Sequence, residues 1–222
     1  MIRCLGAVIA LAASVVVSAE LGIDLYPLVA VDGYRCLLQQ GYSFVVPRGY
    51  RSLGKVDDNV CANLENARAA GVQKRDVYIF PCTTCELSAT RQMKDMVDHI
   101  NANCREAWSG RVWLDIEGAM GEYWLETAEE NMRWYEELAD SCRLLGLDCG
   151  VYTNKNNWLH IFGTTEYVYG NDMPLWYAHY DNDPSFQDFS TFGGWTAPYA
   201  KQYAGLVPVC GYDVDTNYAT AW

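Results

Sequence analysis

From residue 20 onward, short apolar runs alternate with longer stretches in which apolar residues recur at helical spacing. The runs at 21–25, 44–48 and 77–81 are too short for helices and read as buried strands. Between them the pattern predicts helices over 30–40, 59–70 and 88–103, and a longer one over 126–145. That last segment opens on Glu126, Glu129 and Glu130 and stops at Gly146, as the helix dipole and the usual helix-ending residue require. Further strands are expected at 112–117, 149–153, 175–180, 201–204 and 212–215, with a short helix near 156–162. Eight strands result. Helices separate the first five, whereas loops rich in aromatics, Gly and Pro join the last three. The class is therefore α/β, with a largely parallel sheet. Closure gives an irregular TIM-like β/α barrel of eight strands and about five helices, the helices missing or replaced by loops in the C-terminal third.

One strand breaks the apolar rule. In Trp113-Leu114-Asp115-Ile116-Glu117 two acids stand two residues apart, so alternation puts them on one face with Cα atoms about 6.5–7 Å apart. Two carboxylates in a confined, partly dry site cannot ionise independently, and their proton affinities separate into one acid and one anion. That division suits glycosidic bond cleavage. Alone, the pair could equally cap a strand in solvent. Asp24 ends the first predicted strand, Arg48 lies on the second and Asp215 on the eighth, and strands one and eight are neighbours in a closed barrel. Asp24, Asp115, Glu117 and Asp215 are therefore expected at one mouth, a costly convergence that points to function. The same oxygens could hold a hard cation. His99, His160 and His179 show no ligand spacing, so zinc is not expected, and neither a metal nor an organic cofactor is assigned.

The chain's first residues change the compartment. Arg3 precedes an apolar stretch over 5–17 that ends in Val17-Ser18-Ala19, which reads as a secretory signal over 1–19, cleaved before Glu20. The stretch is shorter than the roughly 20 residues that cross a bilayer, and no membrane association is expected. Residues 20–222 then form a single domain. Losing Arg3 leaves 15 of the 16 Lys and Arg against 28 Asp and Glu, a net charge of 15 − 28 = −13, which disfavours nucleic acid. Cys4 leaves with the signal. The remaining Cys36, Cys61, Cys82, Cys85, Cys104, Cys142, Cys149 and Cys210 form an even set, expected as disulfides of undetermined pairing in a secreted, monomeric chain. Cys82-Thr83-Thr84-Cys85 fits that structural role better than a redox or zinc pair.

Ordered segments along the chain carry a resemblance: Gly22-Ile23-Asp24, Phe44 through Tyr50, Leu114 through Glu117, Gly150 through Asn154, Leu175 through Tyr180, Gln202-Tyr203 and Val214 through Asn217. In order and spacing this resembles the glycoside hydrolase family 25 (Chalaropsis-type) lysozymes, in their secreted eukaryotic branch. The resemblance implies hydrolysis of the β-1,4 bond between N-acetylmuramic acid and N-acetylglucosamine, with bacterial peptidoglycan as the partner, in defence or digestion. It implies Glu117 as general acid, Asp115 beside it, and Asp24 and Asp215 as supporting acids. Tyr152 and Trp176 match sugar-groove positions, and Tyr180, Arg48 and Gln202 complete the candidate substrate contacts. Many members carry His at the position of Ile79 and Trp at the position of Lys201, so subsite contacts depart from the family while the acid set is intact. The 16 Tyr, 8 Trp and 6 Phe suit sugar stacking, although Trp113, Trp134 and Trp158 sit at packing positions. A secreted sugar-binding protein without activity would share most of these features.

Overall fold

The computed structural model describes residues 19–222; the expected signal segment and Cys4 lie outside the described residues, except Ala19. Apolar alternation produces ten strands and five helices: β1 Glu20–Leu25, α1 Val31–Gln39, β2 Tyr42–Arg51, β3 Lys55–Val56, α2 Val60–Ala70, β4 Lys74–Arg75, β5 Val77–Ile79, α3 Ala89–Asn103, β6 Arg111–Asp115, α4 Ala128–Leu144, β7 Asp148–Thr153, α5 Lys155–Phe162, β8 Leu175–Ala178, β9 Ala200–Val209 and β10 Tyr212–Ala219. The order β1-β10-β9-β8-β7-β6-β5-β2, with β2 pairing back to β1, closes an eight-stranded barrel. The short β3 and β4 pair only with the flanks of β2.

Two differences from the sequence-based expectation have local causes. The last strand is antiparallel to both β9 and β1. Only Cys210 and Gly211 separate β9 from β10, and a two-residue link can join only antiparallel strands. Both take positive φ, 55° and 82°, the conformation of the hairpin turn whose twist matches the flanking strands. This hairpin extends the two final strands to 209 and 219. The second difference is that β6 ends at Asp115 and β8 at Ala178, so Glu117 and Tyr180 stand just beyond strand ends.

Inside the barrel the floor is aromatic. Phe44, Trp113 and Trp176 are buried there with Val46, Ala200 and Ala219, and the C-terminal Trp222 stacks on Phe44 at 3.8 Å between ring centroids. Such filling requires a small neighbour: a Cβ on Gly150 would lie 2.3 Å from the Trp113 ring. Outside, α3, α4 and α5 pack on the sheet through Met93, Ile100, Tyr135, Leu138 and Trp158, all fully buried. A smaller outer cluster holds α1 and α2 through Tyr34, Leu37 and Ala67. Trp113 and Trp158 are thus packing residues, as their spacing predicts.

The eight cysteines form four disulfides, Cys36–Cys210, Cys61–Cys104, Cys82–Cys85 and Cys142–Cys149. Cys36–Cys210 ties α1 to the β9–β10 turn across a sequence separation of 174, whereas Cys82–Cys85 spans 3. In the chain-entropy account the long loop contributes about 5 kcal/mol and the short one about 2 kcal/mol. Replacing Cys36 and Cys210 by Ala should therefore lower the thermal midpoint two to three times as far as replacing Cys82 and Cys85, measured by calorimetry on the two double variants.

Candidate active site

The C-terminal ends of the parallel strands converge on one cavity of about 80 Å³, lined by Asp24, Tyr78, Asp115, Glu117, Tyr152, Trp176, Tyr180, Gln202 and Asp215. It opens into a groove of about 700 Å³ that shares Glu117, Tyr152 and Tyr180 with it. All four acids named from the sequence line the cavity, each delivered differently. Asp24 is register partner of Asp215 across β1 and β10. Asp215 faces a bulge in β9, where the register shifts and Leu206 takes a φ of 52°. The Leu206 N–H then donates to Asp215 Oδ1 at 2.6 Å. A bulge re-aims side chains, and here it brings an antiparallel strand's carboxylate to the mouth of a parallel barrel. Asp115 closes β6, and the Ile116 N–H continues the ladder to the Tyr152 carbonyl at 2.8 Å. Glu117 follows, its carbonyl accepting from Trp124 Nε1 at 2.9 Å, so the buried indole fixes the residue's backbone.

Gln202 ties these groups together. Its Oε1 accepts from the Tyr152 and Tyr180 hydroxyls, both at 2.7 Å. Its Nε2 donates to Asp24 Oδ1 at 2.9 Å and to Asp215 Oδ2 at 3.5 Å. Asn217 Nδ2 adds a bond to Asp24 Oδ1 at 2.7 Å, and its Oδ1 accepts from Trp176 Nε1 at 2.8 Å. The candidate contacts thus fall into different layers. Tyr180 is exposed at the rim, Tyr152 and Trp176 form the buried floor, and the Gln202 amide is engaged within the protein. Arg48 lies outside both cavity linings, bound through Nε to Asp57 at 2.7 Å with its guanidinium over Tyr26. Tyr78 and Asn217 are site residues the sequence reading passed over. Strand alternation marks both: Tyr78 lies between the outward core residues Val77 and Ile79, and Asn217 is two residues from Asp215.

Burial raises the proton affinities of all four carboxylates, and neighbouring carboxylates add to it for Asp24, Asp115 and Glu117. Burial, followed by Asp215, lifts Glu117 to about 6. Burial and then Asp215 lift Asp24 to about 8, against the lowering bonds from Asn217 and Gln202. Asp115 is pushed far up by burial, then by Glu117 and Asp24, with Arg48 opposing. Asp215 is raised by burial, partly offset by the Leu206 N–H. The cluster therefore retains protons at neutral pH. One atom stands apart: Asp115 Oδ1 is buried and has no hydrogen-bond partner.

The chain has counterparts among known proteins. The family model described as Lysozyme-like protein 1 matches residues 16–203. A probable GH family 25 lysozyme 2 of Dictyostelium discoideum is 42% identical over 206 residues, covering 91% of this chain and 92% of that one. The chain belongs to the glycoside hydrolase family 25 lysozymes. Lysozyme-like protein 5 of Caenorhabditis elegans is 36% identical, over 92% of this chain and 94% of that one. The fold matches the family GH25 lysozyme of Aspergillus fumigatus with a TM-score of 0.72 at 17% identity, covering 91% and 94% of the two chains. As a family 25 member the protein is a glycoside hydrolase, and in this lysozyme the mouth formed by β1, β6 and β10 is the candidate reaction centre.

The raised proton affinities carry a stability consequence whose sign is fixed. A carboxyl whose folded value exceeds its unfolded value supports folding below the unfolded value, and that support is lost as pH rises through the folded one. For Asp24 the window runs from about 4 to about 8. Asp24→Asn keeps an oxygen for Gln202 and Asn217 and removes the charge. Chemical denaturation should find it more stable than the parent at pH 8 by a few kcal/mol, on the order expected for several pH units at 1.36 kcal/mol each, with the advantage vanishing near pH 4.

Proposed function

We propose that this chain is a secreted muramidase that hydrolyses the β-1,4 bond between N-acetylmuramic acid and N-acetylglucosamine in bacterial peptidoglycan, for defence or digestion. The observation that carries the reading is the four-carboxylate cavity adjoining a groove of about 700 Å³. In this reading Glu117 protonates the leaving glycosidic oxygen, which requires it to hold a proton when substrate binds. Its raised affinity meets that need in mildly acid solution. Asp115 accepts the N–H of the substrate's 2-acetamido group at its unpartnered Oδ1. The acetamido oxygen then attacks the anomeric carbon as the bond to the leaving oxygen breaks. Water opens the resulting ring, giving its proton to the Glu117 carboxylate and restoring the acid. Asp24 and Asp215 set the field around Glu117, and Gln202 and Asn217 hold Asp24 in place. Tyr180 offers a ring at the rim for a sugar face, above Tyr152 and Trp176. This chemistry uses no metal and no organic cofactor.

Secretion belongs to the same proposal: residues 1–19 act as a cleaved signal, and 20–222 work as one monomeric domain. Four disulfides fit that compartment, and among the described residues no helix is long and apolar enough to cross a membrane.

Incubating residues 20–222 with bacterial walls and identifying the new reducing ends tests the reading. Muramic acid is expected. Glucosamine would identify a glucosaminidase, and no release would leave a sugar-binding protein. Glu117→Gln should lower turnover about 10²–10⁴-fold, and the parent's kcat/KM should fall as pH rises past about 6. Near-normal turnover in Glu117→Gln contradicts the assignment.

A further inference from the structure

The connection from β8 to β9 forms one wall of the groove, through His179, Tyr180, Asp188, Phe189, Ser190 and Phe192. No helix stiffens it. Beneath it, on β9, the Lys201 side chain is wholly buried, with Nζ 2.7 Å from Asp181 Oδ2 and 2.8 Å from Asp188 Oδ1. Asp188 also accepts from the Tyr177 hydroxyl at 2.8 Å and meets His179 Nδ1 at 2.5 Å. Backbone bonds lay the wall against β9: the His179 N–H donates to the Gln202 carbonyl and the Asn182 N–H to the Tyr203 carbonyl, both at 3.0 Å.

A buried ammonium is costly unless paired, and removing one partner of such a pair strands the other. Lys201 is satisfied by two carboxylates drawn from the wall itself. Without its charge Asp181 and Asp188 would face each other in a chain already at net −12, and their repulsion would push the wall outward. Burial alone would raise Asp188, yet the bonds from Lys201, Tyr177 and His179 outweigh it and hold the carboxyl well below its ordinary range. Both acids thus stay ionised around the ammonium.

We propose that Lys201 is a positioning residue for glycan binding, whose buried positive charge holds the β8–β9 connection in the shape of the groove wall. It lines neither cavity. Its effect reaches the glycan through Asp181 and Asp188 and the rim residues His179 and Tyr180 between β8 and those acids. The activity readout rests on the muramidase reading; the dynamic readout does not.

The distinguishing test exploits charge. One ligand atom each from His179, Asp181 and Asp188 lie within 4.8 Å of one another, so once the ammonium is gone a zinc ion can take its place, the donor set being one zinc accepts. In Lys201→Met, KM for solubilised peptidoglycan should rise about tenfold with kcat within about twofold, the signature of lost binding rather than lost chemistry. Added zinc should lower that KM and leave the parent unchanged. Hydrogen exchange at the Asn182 amide should quicken in the variant and slow again with zinc, whether or not walls are cleaved. An unchanged KM, or a fall in kcat alone, overturns the proposal. So does a loss that zinc does not reverse once calorimetric titration shows zinc bound to the variant, since the side chain's bulk and not its charge would then matter. Should Lys201→Met fail to fold, Asp181→Asn must still raise KM and quicken exchange at Asn182; parent-like values for both overturn the proposal equally. Failure of the parent to release muramic acid would refute the activity reading while the exchange result still decides the role of Lys201.

Discussion

Asp24, Asp115, Glu117 and Asp215 repel one another and have given up much of their hydration, and the surrounding structure works against both effects. Burial is the largest cause of every proton-affinity shift in the cluster, with the neighbouring carboxylates next for Asp24, Asp115 and Glu117. A cavity of this kind spreads if its walls can relax. They are held from below by an aromatic floor and from the side by Gln202, whose amide joins two carboxylates to two tyrosines. Charge strain at the mouth is thus met by packing and hydrogen bonding in the barrel, the usual trade of stability for function.

The opposition is arranged in layers. Trp124 and Asn131 fix the loop after β6, the indole by holding the Glu117 carbonyl and the amide by bonding the backbone of Leu125 and the Ile161 carbonyl. Asn217 couples Asp24 to Trp176 and hence to the floor. Lys201 extends the same logic to the groove, answering two wall carboxylates with one internal cation. The negative surface of the chain and the two positive devices near the site, Arg48 bound to Asp57 and Lys201 bound to Asp181 and Asp188, place positive charge where geometry needs it.

Much of this was legible in the sequence because burial patterns report strand faces directly. Apart from the two-residue β3 and β4, which the pattern did not predict, the strands and helices through α5 fall within a few residues of their expected positions, since each is a periodic segment with a recognisable end. Asp115 and Glu117 could be placed on one face from spacing alone. The antiparallel final strand could have been read from the two-residue Cys210-Gly211 link, had the segment past Ala204 been recognised as continuous strand. Other features have no local signature. The β9 bulge that aims Asp215, the engagement of Gln202 by four partners and the burial of Lys201 depend on residues far away in the chain. The disulfide partners of Cys36 and Cys61 lie 174 and 43 residues distant, and spacing does not encode such pairings.

Glu117 holds a proton in mildly acid solution because it is buried beside Asp215. Carbon-13 NMR titration of the Glu117 carboxyl, in the parent and in Asp215→Asn, measures this directly. The midpoint should be about 6 in the parent and lower in the variant, where the repulsion from Asp215 is gone and burial remains. A parent midpoint near 4.5, the ordinary value for the group, unmoved by the substitution, would contradict it.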